Sequence, residues 1–194
     1  MVNSIGINLK INSDTILFFD MDGTLVDTDY TNFLSYKEAI NFVLQTDKEI
    51  QFSPNERFNR TTLKKIEPNL TEQEIEKIVQ QKEKNYQEML AQTKLNKSIA
   101  DILIRYYQTN KTVLVTNCRK ERALLTLNYH NLSDKFSHLI FRKNSENGNR
   151  INKYKNAINH LRISAQNVIV FENEKIEIDD AALAGILTDN IISL

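Results

Sequence analysis

The stretch TILFFDMDGTLVDTD, residues 15–29, decides how the rest of the chain is read. Its first residues, Thr15 to Phe19, are apolar and rich in strand formers, which predicts a buried strand. The run then stops on Asp20, passes through Met21-Asp22-Gly23-Thr24, and gathers two further acids, Asp27 and Asp29. Carboxylates of one sign repel each other and resist burial. A buried strand that finishes on Asp20 and Asp22 therefore asks for a counter-charge.

Working outward, the same kind of apolar run recurs as TVLVT (Thr112 to Thr116), SHLIF (Ser137 to Phe141) and NVIVF (Asn167 to Phe171), with ILT at 186–188 as a last short strand. Between them SIADILIRYYQ, RKERALLTLNYH, INKYKNAINHL and EIDDAALAG read as helices, the last closed by Gly185 as a C-terminal cap. Continuous apolar strands alternating with helices imply a parallel sheet covered on both faces. Residues 29–93 break that alternation. TNFLSYKEAINFVLQ (31–45) puts Phe33, Leu34, Ala39, Ile40, Phe42, Val43 and Leu44 largely on one helical face. SPNERFNRTTLKKI is a loop entering a short helix. A capping box, Thr71 with Glu74, then opens a long polar helix whose apolar positions (Ile75, Ile78, Val79, Tyr86, Met89, Leu90) form a narrow stripe. The expected fold class is therefore α/β. A doubly wound parallel sheet spans 1–28 and 94–194, and a small α-helical domain is inserted at 29–93.

Composition narrows the function. The 194 residues carry 25 Lys and Arg against 25 Asp and Glu, so the formal net charge is zero. No basic excess points to nucleic acid, and no polybasic run points to an anionic membrane. No apolar run is long enough to span a bilayer, and MVNSIGINLKINSD lacks the pattern of a secretory signal. The single cysteine, Cys118, cannot form an internal disulfide and fits a reducing compartment, so a cytoplasmic location is expected. His130, His138 and His160 lack metal-ligand spacing. The sequence leaves the oligomeric state open.

In doubly wound sheets, ligands bind beyond the carboxyl ends of the strands. Those ends are Asp20-Met21-Asp22, Thr116-Asn117-Cys118 and Glu172-Asn173-Glu174. Carboxylates gathered at one edge suit a hard divalent cation such as Mg2+, which takes one or two carboxylates plus water and phosphate oxygens. A carboxylate beside such an ion can also attack phosphorus.

On these residues the chain resembles the haloacid dehalogenase (HAD) superfamily. FFDMDGTLVDTD resembles its first motif, hhhDxDGT. VLVTN resembles the second, NKYKNAINHL the third, and VIVFENEKIEIDDAALAGI the fourth. Together they run from residue 15 to 187. The resemblance implies a Rossmann-like core and a Mg2+-dependent phosphatase acting on a small phosphorylated metabolite. It implies Asp20 as nucleophile and metal ligand, and Asp22 as general acid/base with its backbone carbonyl on the metal. Thr116 and Asn117 would hold phosphoryl oxygens, Gly23 would let the backbone turn beside them, and Lys153 would neutralise charge. Lys143 is the rival for that role. Where many relatives have Asp in the fourth motif this chain has Asn173, so Asn173, Glu172 and Glu177 share the candidacy for the remaining metal position. The insert matches the superfamily's helical cap, a lid that excludes water and contributes specificity. Within it, Arg60 and Lys64 are candidate substrate contacts, with Tyr30 and Asn32 next, against a plain reading as a solvated basic face. Two other readings stand beside the phosphatase. One is a phosphomutase, against which Asn32 counts because mutases tend to carry His near there. The other is a non-catalytic binding or regulatory domain, which Asn173 favours and the Asp20–Asp22 pair opposes.

Overall fold

The computed structural model describes residues 11–54, 56–143 and 150–194. The N-terminal stretch read as lacking a signal lies partly outside these residues, as does Asn55 of the loop before the short helix. By its internal contacts the chain forms two units, one of Met1–Val26 with Leu95–Leu194, the other Asp27–Lys94.

The first unit is built on a five-stranded parallel sheet. Its strands are β1 (Ile16–Phe19), β4 (Lys111–Val115), β5 (His138–Ile140), β6 (Val168–Glu172) and β7 (Ile191–Ser193), in the order β5-β4-β1-β6-β7. Short strands β2 (Val26–Asp27) and β3 (Lys94–Leu95) pair with each other where the chain leaves and re-enters this unit. Helices α4 (Lys97–Tyr106), α5 (Lys120–Tyr129), α6 (Lys153–Leu161) and α7 (Lys175–Leu183) join the strands.

The apolar runs are continuous because both faces of the sheet are covered. Leu17 and Phe19 point into a core with Ile99, Leu103, Leu127 and Phe171. Phe18, one residue out of phase, enters a second core with Val113, Tyr154, Ala157 and Val170. Burying each such side chain stabilises the fold by roughly 1.5–3 kcal/mol.

One element departs from expectation. The last strand is Ile191–Ser193, not 186–188. Gly185 does cap α7, with φ +91°, but Ile186 behind it is buried in the second core. Thr188–Asn190 then makes a 3-10 turn that carries the chain to the sheet edge. Both ILT and IIS have strand-forming side chains, and only the position of β6 decides which one pairs.

The second unit holds α1 (Asp29–Leu44), α2 (Arg60–Ile66) and α3 (Glu72–Glu88). The capping box is present, with Thr71 and Glu74 each bonding the other's backbone N–H. Phe33, Tyr36, Ala39, Ile40, Leu63, Ile75, Ile78 and Val79 form its core. Phe42 is 70% exposed rather than on that face, because it sits about 200° around the helix from Ile40. The α3 stripe also buries Lys82, whose ammonium lies 5.4 Å from the Tyr36 ring and 5.1 Å from the Tyr86 ring. Among the described residues, no helix is long and apolar enough to cross a membrane.

Candidate active site

The parallel register brings three strand ends to one edge. Phe19 is level with Leu114 on one side and Phe171 on the other, so Asp20 and Glu172 leave adjacent strands side by side. The Asp20 N–H donates to the Phe171 carbonyl at 3.1 Å. The chain then turns tightly. Met21 O accepts from Leu25 N and Val26 N, each at 3.0 Å, and Gly23 N donates to Val26 O at 2.8 Å. Gly23 has φ +84°, a left-handed conformation that a side chain would strain.

Lys153 opens α6 and is directed at this edge. Asn152 caps the helix by accepting from Lys155 N at 2.9 Å, and its amide donates to Asp180 O on α7 at 2.7 Å. The Lys153 ammonium is buried and meets Asp20 Oδ1 at 2.6 Å, Glu172 Oε2 at 2.8 Å and Glu177 Oε2 at 3.7 Å. Tyr154 Oη also donates to Glu172 Oε2, at 2.6 Å, while Glu172 Oε1 accepts from Asn173 N at 2.8 Å and Glu174 N at 3.0 Å. Glu177 Oε1 accepts from Asn117 at 2.9 Å and from Arg150 at 2.8 Å. Glu172 and Glu177 thus face cations and N–H donors. Arg122 reaches Asp22 Oδ2 at 3.2 Å.

The electrostatics follow from this packing. Burial pushes the Asp20 carboxyl up to about 7, and Glu172 and Asp22 push the same way, against the opposing pull of Lys153. Burial alone would lower Lys153. The surrounding charges of Asp20, Glu172 and Glu177 outweigh it and hold the amine above its ordinary value. Lys153 therefore remains a cation, and the carboxylates around it compete for its charge.

Asn173 lies across the turn. Its amide is satisfied when the nitrogen faces Thr24 Oγ1 at 2.9 Å, the Asp22 carbonyl at 3.3 Å and Glu172 Oε1 at 3.3 Å. A Cβ on Gly23 would stand 2.4 Å from this amide, so the second reason for glycine here is close approach. Thr116 is buried beyond β4, its Oγ1 accepting from Cys118 N at 3.1 Å. Among the described residues, no three His, Cys, Asp or Glu side chains are grouped to hold a metal ion.

The remaining candidates have other partners. Lys143 bonds Asn156 at 3.0 Å on the surface. In the helical unit Arg60 pairs with Glu76, and Lys64 with Glu72 at 2.7 Å, all on exposed side chains. Tyr30 stacks with Phe33 and meets Phe52 edge-on, and buried Asn32 donates to the Phe58 carbonyl. Sequence reasoning passed over Tyr154, Arg150 and Arg122. Tyr154 follows Lys153 and was open to discovery as its neighbour. The two arginines carry no local signal, because only the fold brings them to Glu177 and Asp22.

The arrangement presents a buried carboxylate held by an ammonium, a second carboxylate two residues on, and backbone turned tightly between them. The fold has solved counterparts. A protein from Haemophilus somnus described as a predicted phosphoglycolate phosphatase superposes with TM-score 0.75 at 19% identity, covering 94% of this chain and 86% of that one. A haloacid dehalogenase-like family hydrolase from Streptococcus pneumoniae gives 0.69 at 16% identity, covering 94% and 95%. A HAD-hydrolase from Bacillus subtilis, described as bound to magnesium, gives 0.62 at 18% identity, covering 89% and 86%. At these identities the likeness concerns the fold. No curated protein matches the chain in sequence. The family profile of the haloacid dehalogenase-like hydrolases matches residues 17–189, nearly the whole chain, and the protein belongs to that family.

Proposed function

We propose that the protein is a Mg2+-dependent phosphatase that hydrolyses a small phosphomonoester through an aspartyl-phosphate. The observation that carries this reading is the buried Lys153–Asp20 pair at 2.6 Å at the end of β1, with Asp22 two residues beyond. In the first half-reaction an Asp20 oxygen attacks phosphorus. The bond from phosphorus to the alcohol oxygen breaks, and that oxygen takes a proton from the Asp22 carboxyl. In the second half, Asp22 takes a proton from water as the water oxygen attacks phosphorus. The Asp20–phosphorus bond breaks, releasing inorganic phosphate and restoring both carboxyl groups. Lys153 holds Asp20 in place and offsets the negative charge gathered there. Thr116 and the Asn117 amide bind phosphoryl oxygens.

The residues present fit Mg2+ as an oxygen site of low charge. Adjacent oxygen ligands around this ion stand about 3 Å apart, and the Asn173 amide lies 3.3 Å from the Asp22 carbonyl. One Asp20 oxygen, the Asp22 carbonyl and the Asn173 amide oxygen would hold it, which requires the Asn173 amide to turn over. This set holds one side-chain carboxylate, one backbone carbonyl and one amide, so it does not conflict with the lack of a grouped trio of acidic side chains. When bound, the ion supplies positive charge to the phosphoryl oxygens. Glu172 and Glu177 remain with Lys153. The inserted helical unit acts as the cap, and the lone buried cysteine suits the cytoplasm.

The test is a screen of phosphorylated metabolites with purified protein, in Mg2+ and in EDTA. Release of phosphate from at least one phosphomonoester, dependent on Mg2+ and abolished in Asp20→Asn, is expected. No release from any of them would remove the proposal in favour of a binding domain.

A further inference from the structure

Arg122 is the third residue of α5. A cation in the first turn of a helix opposes the helix dipole, so helix stability does not explain an arginine there. Its side chain is only 14% exposed and reaches both Cys118 and Asp22. The Nε–H donates to Cys118 Sγ at 2.9 Å, and the terminal nitrogen meets Asp22 Oδ2 at 3.2 Å. Cys118 in turn is tied through its backbone N–H to Thr116 Oγ1. The guanidinium therefore spans two strand ends, fixed at Nε to the loop after β4 and at the terminal nitrogen to the turn after β1. The planar fork makes this possible, since its donors diverge at set angles. Anchored on Cys118 at Nε, the guanidinium presents its terminal nitrogen to Asp22 from a fixed place.

We propose that Arg122 is a positioning residue for Asp22, holding its carboxyl where it exchanges a proton with the leaving oxygen. The proposal rests on the phosphatase reading above. It acts on the bond between phosphorus and the alcohol oxygen, whose electron pair must take a proton if the alcohol is a poor leaving group. A nitrophenolate departs as the anion and makes no such demand. Loss of Arg122 should therefore be selective for the substrate and not uniform.

The experiment measures kcat/KM on an alkyl phosphate, glycerol 2-phosphate, and on p-nitrophenyl phosphate, in native protein, Arg122→Met and Arg122→Lys. Proton transfer by a placed group contributes roughly 10²–10⁴-fold. Arg122→Met should lower the alkyl-to-aryl ratio of kcat/KM at least about tenfold. Arg122→Lys, which keeps a cation within reach of Asp22 but loses the fork, should restore part of it. Equal losses on the two substrates, or an unchanged ratio, would overturn the proposal, because a merely structural arginine lowers both alike. If Arg122→Met does not fold, Arg122→Gln takes its place in the comparison. Failure of the phosphatase reading would show separately, as native protein that turns over neither substrate, and would take this inference with it.

Discussion

Replacing Lys153 by Met strips an ammonium from a buried cluster. Lys153 contacts Asp20 at 2.6 Å, Glu172 at 2.8 Å and Glu177 at 3.7 Å. Glu177 keeps Arg150, and Glu172 keeps Tyr154 and two backbone N–H groups, but Asp20 loses its cation. Removing one partner of a buried ion pair costs about 3–5 kcal/mol. For a chain of this size each kcal/mol moves Tm by roughly 2–4 °C, so a fall of about 6–20 °C at pH 8 is expected. The effect should depend on pH in a set direction. Asp20 already has its folded-state value raised to about 7, and loss of Lys153 raises it further. Below that value the carboxyl takes up a proton and no longer needs a counter-charge, so the deficit should shrink as pH falls from 8 to 5.5. Lys153 itself adds no slope in this window. Its own folded-state value is raised, so its contribution is complete below about 10.5 and is lost only at higher pH. Thermal unfolding followed by circular dichroism at the two pH values measures both. A variant within about 1 °C of native protein at pH 8 would refute the buried-pair argument.

Asp20→Asn should abolish turnover and raise stability above pH 7 by a few kcal/mol, since a carboxyl raised from 3.8 to about 7 disfavours the fold once ionised. The gain should fade between about pH 7 and 4, as the native carboxyl regains its proton, and urea titrations in EDTA across that range would read it. Asn173→Asp adds charge beside the Asp22 carbonyl and should tighten Mg2+ by tenfold or more in calorimetry, an order set by about 1.4 kcal/mol; an unchanged affinity would place residue 173 away from the ion. Gly23→Ala should cost about 1–3 kcal/mol in unfolding experiments, from the positive φ and the clash with Asn173. Arg60→Ala should leave stability within about 0.5 kcal/mol and KM unchanged, because its pair with Glu76 is solvated.

Local sequence determined the acid-rich end of β1 and most of the run of elements. The apolar run before Asp20, the tight Asp-Gly-Thr turn and the capping box at Thr71 depend on neighbours in the chain, so their physics is visible in a few residues. The alternation of strand and helix, likewise local, implied the parallel sheet. What needed tertiary structure was every pairing across distance. The helix start favoured Lys153 over Lys143 in sequence, but it is the fold that sets the Lys153 ammonium on Asp20 and leaves Lys143 on Asn156 at the surface. Glu172 is one acid among several in sequence, and its contacts with Tyr154, Lys153 and two backbone N–H groups come from the fold. Arg60 and Lys64 are cations with no visible partner in sequence, and packing pairs them with Glu76 and Glu72 on the next helix. ILT and IIS both form strands readily, and the edge offered by β6 takes the second. A side chain's type limits what it can bond, but its charge state and its partner are set by which groups the fold places within a few ångströms of it.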